Sequence, residues 1–333
     1  MSLRLPVLSV ALAAVLVTGL AGCGTSDKDN GPDVPTVTPQ TPLSAPPLTA
    51  GPEGTVVPAA GVGRALAIGH DRLAAVARDG KSIALYSASD LARAPQVVVV
   101  PEVGAIAADR TGFVAVGRES VVRVGLDGAV ASAPLDGPGV SVATDDREVF
   151  VGTGDGRLLA LDETLKRTAE AGGFVAVDAV AVARHDGKRQ IAVLDKAQSL
   201  ITTVEPDTGG RGAALRAGNG ATALAADHYG RLVVANPRDG QLLGFYGDPL
   251  IMKFRFPIPD GPQGLAYDDR ANLLWVTETA ANQVVAYDLS SGEPRERARF
   301  ASVRQPDSVV VDPTSGAVVV LSATGDGLQR VAR

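Results

Sequence analysis

A unit that recurs about every 40 residues limits what this chain can fold into more than any other feature. In each copy a short run of small and branched apolar residues ends at an equivalent hairpin position, and a second apolar run follows. The equivalent positions are Gly69, Asp109, Asp145, Ala183, Asp227, Asp268 and Asp312, with spacings of 40, 36, 38, 44, 41 and 44 residues. A supersecondary unit of this size cannot bury its apolar faces alone, so the seven copies must stack on one another.

The last two copies show the pattern best. In one, Gly264-Leu265-Ala266-Tyr267 leads to Asp268, then Leu273-Leu274-Trp275-Val276-Thr277, then Gln283-Val284-Val285-Ala286-Tyr287-Asp288 and a turn at Ser291-Gly292. In the other, Ser308-Val309-Val310-Val311 leads to Asp312, then Ala317-Val318-Val319-Val320-Leu321, then Leu328-Gln329-Arg330-Val331. Short branched runs bounded by Asp, Gly, Asn and Pro are strand and hairpin chemistry. A helical solenoid would need apolar spacings of three and four, and none persists after residue 60. Three or four strands per copy make a blade, and seven blades set radially form an all-β, seven-bladed β-propeller with only short, protected sheet edges.

Three details refine that expectation. The first run of each copy is small-sided (Ala65, Ala105, Ala143, Ala179, Ala223 and Gly264 among others), as innermost strands around a narrow channel require. Asp79-Gly80, Asp155-Gly156, Asp239-Gly240 and Asp326-Gly327 fall between second and third strands, where a hairpin with positive φ at both central residues is expected. Glu119-Ser120, Lys196-Ala197 and Asn282-Gln283 take that place in the other copies. The seventh copy holds runs for three strands only, and Thr55-Val56-Val57, ahead of the first copy, is free to supply the fourth.

The N-terminus carries an address. Arg4 precedes a mostly apolar stretch from Leu5 to Leu20, which ends at Leu20-Ala21-Gly22-Cys23. That tetrapeptide resembles the bacterial lipobox, which implies a lipoprotein signal peptide over 1–22, removed before a Cys23 that carries a diacylglyceryl group. Cys23 is the only cysteine, so no disulfide forms within the chain. Residues 23–52 are rich in Pro and Thr, with Pro32, Pro35, Pro39, Pro42, Pro46 and Pro47. Such composition reads as a disordered tether able to hold a 53–333 propeller several tens of ångströms from a membrane, at ~3 Å per residue. The expected location is the outer, extracytoplasmic face of the cell membrane, anchored by lipid.

No catalytic constellation stands out. The formal net charge of −6 and the absence of any basic cluster argue against a nucleic-acid partner. The three histidines, His70, His185 and His228, fall in or beside hairpins of different copies and read as solvated turn residues. Asp109, Asp145, Asp227, Asp268 and Asp312 read as turn formers that bond their own backbone. Trp275, the single tryptophan, reads as packing core, and Gly152-Thr153-Gly154-Asp155-Gly156 as a turn, since no helix follows to hold a phosphate.

The candidate binding ring comprises Asp79, Glu119, Asp155, Asp239, Glu278 and Asp326 with Asn236 and Asn282. Arg118, Lys196 and Arg238 interrupt its sign, and the interblade residues Asp178, Asn219, Gln263 and Asp307 share its face. Loops on one face of a repeat fold are where function collects. Metal ligation is left open there.

The stretch from Trp275 to Glu278 and from Asn282 to Asp288 resembles the repeat of YVTN-type propellers, related in outline to NHL-repeat and lactonase-like propellers. The lipobox, the Pro-rich tract, and the segments from Leu215 to Thr222, Gly230 to Ala235 and Gly240 to Leu243 resemble the actinobacterial LppL-type prolipoproteins. This resemblance implies fold and address and supplies no catalytic residue. The expected function is a binding or scaffold module at the cell envelope, with an envelope protein or a small molecule as partner, the membrane reached through the lipid, and no cofactor required. The alternatives are a lactonase-like or lyase-like enzyme using a divalent cation at the channel mouth, and a small-molecule sensor or carrier.

Overall fold

A computed structural model describes residues 34–59 and 61–333. The expected signal peptide, Cys23 and the beginning of the tether lie outside the described residues. The strands of the described residues form seven four-stranded antiparallel sheets. Six are built in chain order from residues 62–99, 105–134, 139–171, 179–216, 223–257 and 262–301. The seventh holds Pro306–Val311, Val318–Ser322 and Leu328–Val331, with Thr55–Val57 as its outermost strand. The first strand of each blade contacts the first strand of the next, and that of the seventh returns to the first, so the ring closes.

Thr55–Val57 pairs antiparallel with the last strand, Thr55 opposite Arg330 and Val57 opposite Leu328. The seventh sheet therefore gains the strand it lacked, which covers the edge of Leu328–Val331 and ties the two ends of the propeller together.

The core follows from this stacking. Second strands such as Gly112–Val116, Leu232–Asn236 and Val318–Ser322 are buried at every residue. They lie between two neighbouring blades, so both faces must be apolar or small, and alternation disappears. Fourth strands such as Val130–Pro134 are mostly exposed. The buried side chains fall into clusters that each bridge adjacent blades; Trp275, with Phe300, Val318, Val320 and Val331, fills the seam between the sixth and seventh. The tryptophan is core, its ring centroid 5.7 Å from that of Phe300.

Two details differ from the sequence reading. In the fourth blade the first strand runs on to His185, which pairs with Lys188, so Ala183 lies two residues inside the strand and the turn is Asp186-Gly187. The Asp-Gly pairs are not two-residue hairpins with both residues at positive φ. Only the glycines take it, at 71° for Gly80, 85° for Gly156, 61° for Gly240 and 140° for Gly327. In the first, third and fifth blades the glycine nitrogen bonds the carbonyl three residues back (Ala77, Thr153 and Pro237), with Asp inside the turn and Gly closing it.

Candidate functional site

Loops joining second to third strands share one face, here the first face, with the interblade segments. Hairpins joining first to second and third to fourth strands share the second face. On the first face the structure sorts the candidate residues into three groups.

The first group lines the central channel. Gln263 and Asp307, with Thr222 and Ser308, edge a cavity of about 350 Å³ whose walls include Ala65, Ala105, Ala223 and Gly264. Small first-strand residues let the inner strands approach, as expected. Gln263 Oε1 is buried there without a hydrogen-bond partner among the described residues.

The second group shapes its own loops. Asp79 Oδ1 accepts from Lys81 N at 3.0 Å, and Asp178 Oδ2 from Lys196 N at 2.8 Å. Asp326 accepts from the hydroxyls of Ser322 and Thr324. Glu119 offers its carbonyl to Leu135 N, just past the fourth strand, at 3.0 Å, while Gly117 N closes the turn on Ser120 O. Asp155 accepts from Arg157 Nη2 at 2.8 Å, and the Arg157 bond chiefly holds its carboxyl below the usual range. Glu278 is buried, bonded to the Tyr287 hydroxyl at 2.8 Å and to Arg299 Nη1 at 3.0 Å. Burial pushes its carboxyl up because those two partners do not make up for lost water. Asp195, outside the expected ring, is also raised by burial, although it accepts from Val175 N and Gln198 N. Among the described residues, no three His, Cys, Asp or Glu side chains group closely enough to hold a metal ion.

The third group meets the chain's own N-terminal segment. Residues 34–52 depart from the free tether expected of their composition: much of this stretch is bonded to the first face from the fourth blade to the seventh. Thr36 N and Val37 N both reach Ala197 O at 2.9 Å, and Gln198 Nε2 donates to Val34 O at 2.9 Å. Arg216 Nη1 donates to the Thr36 hydroxyl at 3.1 Å. Arg238 holds Thr38 O and Gln40 Oε1, each at 2.8 Å. Asn282 donates to Pro46 O at 2.9 Å, while Gln305 gives Nε2 to Leu43 O at 2.6 Å and takes Ala45 N at 2.7 Å. Ala45 is buried, and Leu43 packs where a Cβ on Gly261 would stand 2.6 Å from its Cδ1.

A platform supports this contact. Asp239 gathers Asn219 N at 3.0 Å and Asn236 Nδ2 at 2.8 Å. Burial opposes ionisation of Asp239, but these amide bonds outweigh it and its carboxyl sits low. Gly218, at φ 75°, passes so close that a Cβ there would stand 1.7 Å from Asn236 Nδ2. Of the candidate residues, then, Asn219, Asn236, Arg238, Asp239 and Asn282 are brought together, beneath or against the segment. Gln198, Arg216 and Gln305 were not singled out from sequence. Most of their partners are main-chain groups, which leave no side-chain signature to match; a proline-rich segment next to an amide-rich loop set is the only signal available.

The second face is laced by bonds one repeat apart. His70 Nε2 lies 2.6 Å from Asp109 O, and His228 Nδ1 3.0 Å from Asp269 Oδ1. Arg184 donates to Asp145 at 2.8 Å. These two histidines therefore tie neighbouring hairpins rather than standing free in solvent; His185 closes its strand pairing. Four of the five expected turn-forming aspartates do so: Asp109 Oδ1 caps Thr111 N and Gly112 N, Asp227 Oδ1 caps Tyr229 N and Arg231 N, Asp268 Oδ1 caps Arg270 N, and Asp312 Oδ1 caps Thr314 N. Asp145 is the exception: it ends its strand opposite Glu148 and turns its carboxylate to Arg184 of the next repeat.

No family model matches the chain, and no curated protein matches it. Solved structures do. A chain of the mitotic checkpoint complex superposes with a TM-score of 0.71 at 10% identity, over 94% of this chain and 99% of that one. A streptogramin B lyase gives 0.65 at 12% identity, over 84% and 96%. The virginiamycin B lyase of Staphylococcus aureus gives 0.66 at 10%, over 84% and 98%. At such identities the likeness is one of fold, a β-propeller that serves in assemblies and in lyases alike.

Proposed function

We propose that the protein is a lipid-anchored, extracytoplasmic binding and scaffold module at the cell envelope, of the kind the LppL-type resemblance implies. The observation that carries this reading is the first face itself. It holds an extended Pro-rich polypeptide mainly through side-chain amides and guanidinium groups that read main-chain carbonyls, the chemistry of peptide recognition rather than bond cleavage.

On this reading the 34 − 23 = 11 residues from Cys23 to Val34 allow the fourth-blade end of the segment at most about 40 Å from the anchor. The small-molecule reading rests on a narrower observation, the unpartnered Gln263 Oε1 in the channel, and stands second.

Two measurements test the proposal. Cys23→Ser should move the protein from the detergent phase to the aqueous phase; continued partition with detergent would remove the anchor. Arg238→Ala with Gln305→Ala should expose residues 34–47 to limited proteolysis while the propeller stays intact. Equal protection in parent and variant would mean that these side chains do not hold the segment.

A further inference from the structure

The second face carries a cavity that the sequence reading passed over. It lies between the fifth and sixth blades, has a volume of about 560 Å³, and is lined by Tyr229, Arg231, Tyr246, Lys253, Phe254, Asn272, Leu289, Ser290 and Gly292. That size suits a small organic molecule. Its walls divide into two kinds. Tyr229, Tyr246, Phe254 and Leu289 supply flat apolar surface, and Tyr229 is 52% exposed, unusual for so large a ring.

The polar wall presents donors. Arg231 binds the buried carboxylate of Asp227 and the carbonyl of Leu289, so those two acceptors are already engaged. Its guanidinium lies 5.2 Å from the Tyr229 ring centroid, and its Nη2 is buried behind the wall with no hydrogen-bond partner among the described residues. Lys253 Nζ lies 5.7 Å from the Tyr246 centroid, and no ion pair with a carboxylate joins it among the described residues. Asn272 takes the Tyr267 hydroxyl on its Oδ1, which leaves its Nδ2 as a donor. Cations and amide donors interleaved with aromatic rings, Arg231 beside Tyr229 and Lys253 beside Tyr246, suit an anionic ligand with a flat face.

We propose that this cavity is a binding site for a planar aromatic molecule carrying one acidic group, its ring against Tyr229, Tyr246 and Phe254 and its acid group toward Lys253 and Arg231. The site is independent of the peptide track on the first face, and stands whether or not the chain is lipid-anchored.

Isothermal titration of the full chain with three probes tests it: 2-naphthoate, the neutral 2-naphthamide, and the non-planar cyclohexanecarboxylate. Naphthoate should bind saturably below about 1 mM, and each of the other two roughly three- to tenfold more weakly, because each lacks one of the two contacts. Lys253→Met keeps the alkyl stem and removes the charge; it should weaken naphthoate by a similar factor and leave naphthamide unchanged. Tyr229→Ala should weaken both. Asn272→Asp, which suits the positive φ at that turn, should repel naphthoate selectively. Absence of saturable naphthoate binding, or equal affinity for acid and amide in both the parent and Lys253→Met, overturns the assignment.

Discussion

Gln329 joins the propeller's ends, and replacing it tests how the ring is closed. This side chain is fully buried in the last strand. Its Nε2 donates to Glu53 O at 2.7 Å and Ala301 O at 2.9 Å, and its Oε1 accepts Val303 N at 2.9 Å. One carboxamide thus bonds the entering N-terminal segment, the end of the sixth blade and the link into the seventh. Gln329→Met is close in volume, so it leaves little cavity and removes all three bonds. Val303 N becomes a buried unpaired donor, at about 1–3 kcal/mol, and each carbonyl loses about 0.5–1.5 kcal/mol. Ala301 O falls at the low end because Glu53 N still reaches it at 3.0 Å. The sum is about 2–5 kcal/mol, which at ~2 °C per kcal/mol for a domain of this size lowers the melting temperature by about 4–10 °C. Trp275 reports the event directly, since it packs with Val331 in the same seam. Its fluorescence during a thermal ramp, beside far-ultraviolet circular dichroism, gives the midpoint. Gln329→Glu keeps the acceptor for Val303 N and, once ionised, sets a charge against two carbonyls, so it should melt no higher than Gln329→Met at neutral pH. A Gln329→Met protein that melts within about 1 °C of the parent would refute the claim that this side chain secures the closure.

Other perturbations separate turn chemistry from packing. Gly156→Ala places a Cβ 1.9 Å from Phe174 O, whereas at Gly240 the nearest atom, Ile258 O, is 3.3 Å away; chemical denaturation should show Gly156→Ala as clearly the more destabilising, and equal losses would reduce both to backbone strain. Asp155 is held low chiefly by Arg157, and a lowered carboxyl adds stability above its ordinary value of 3.8 that is lost as pH falls through its folded value. Asp155→Asn should therefore cost no more than about 1 kcal/mol at neutral pH, the pair being part-exposed, with the gap to the parent closing as the pH falls below 3.8; a gap that widens in acid contradicts that sign. Deleting residues 53–60 removes the outer strand of the seventh blade and should bring aggregation or a melting temperature lower by several degrees, checked by light scattering and calorimetry. A deletion that behaves like the parent would mean that the seventh blade stands with three strands.

The ring was legible because its signals are local and repeat. Seven apolar runs ending in turn residues specify seven hairpin units, and a seventh unit one strand short points to Thr55–Val57, where the strand is found. Trp275 in a second strand could only be core, since that strand is covered on both sides. What the residues do on the surface was less legible. Asp155 and Asp326 look alike in sequence, yet one pairs with Arg157 and the other with two hydroxyls.

The sequence by itself determined the architecture, since strand periodicity and turn chemistry act over a few residues and need no partner at long range. Only the tertiary structure decided why the Asp-Gly glycines are required. Gly80, Gly156 and Gly240 each lie against an interblade segment, at Val103 O, Phe174 O and Ile258 O, as well as closing a turn. Tertiary structure also decided the course of residues 34–52. Their composition favours an extended chain, and extension is compatible both with free solvent and with a track of donors. The choice falls to Gln198, Arg238, Asn282 and Gln305, more than 150 residues away in sequence and set side by side by the closing of the ring. Propensity is a property of a segment, whereas a bond to a main-chain carbonyl depends on what the fold places opposite it.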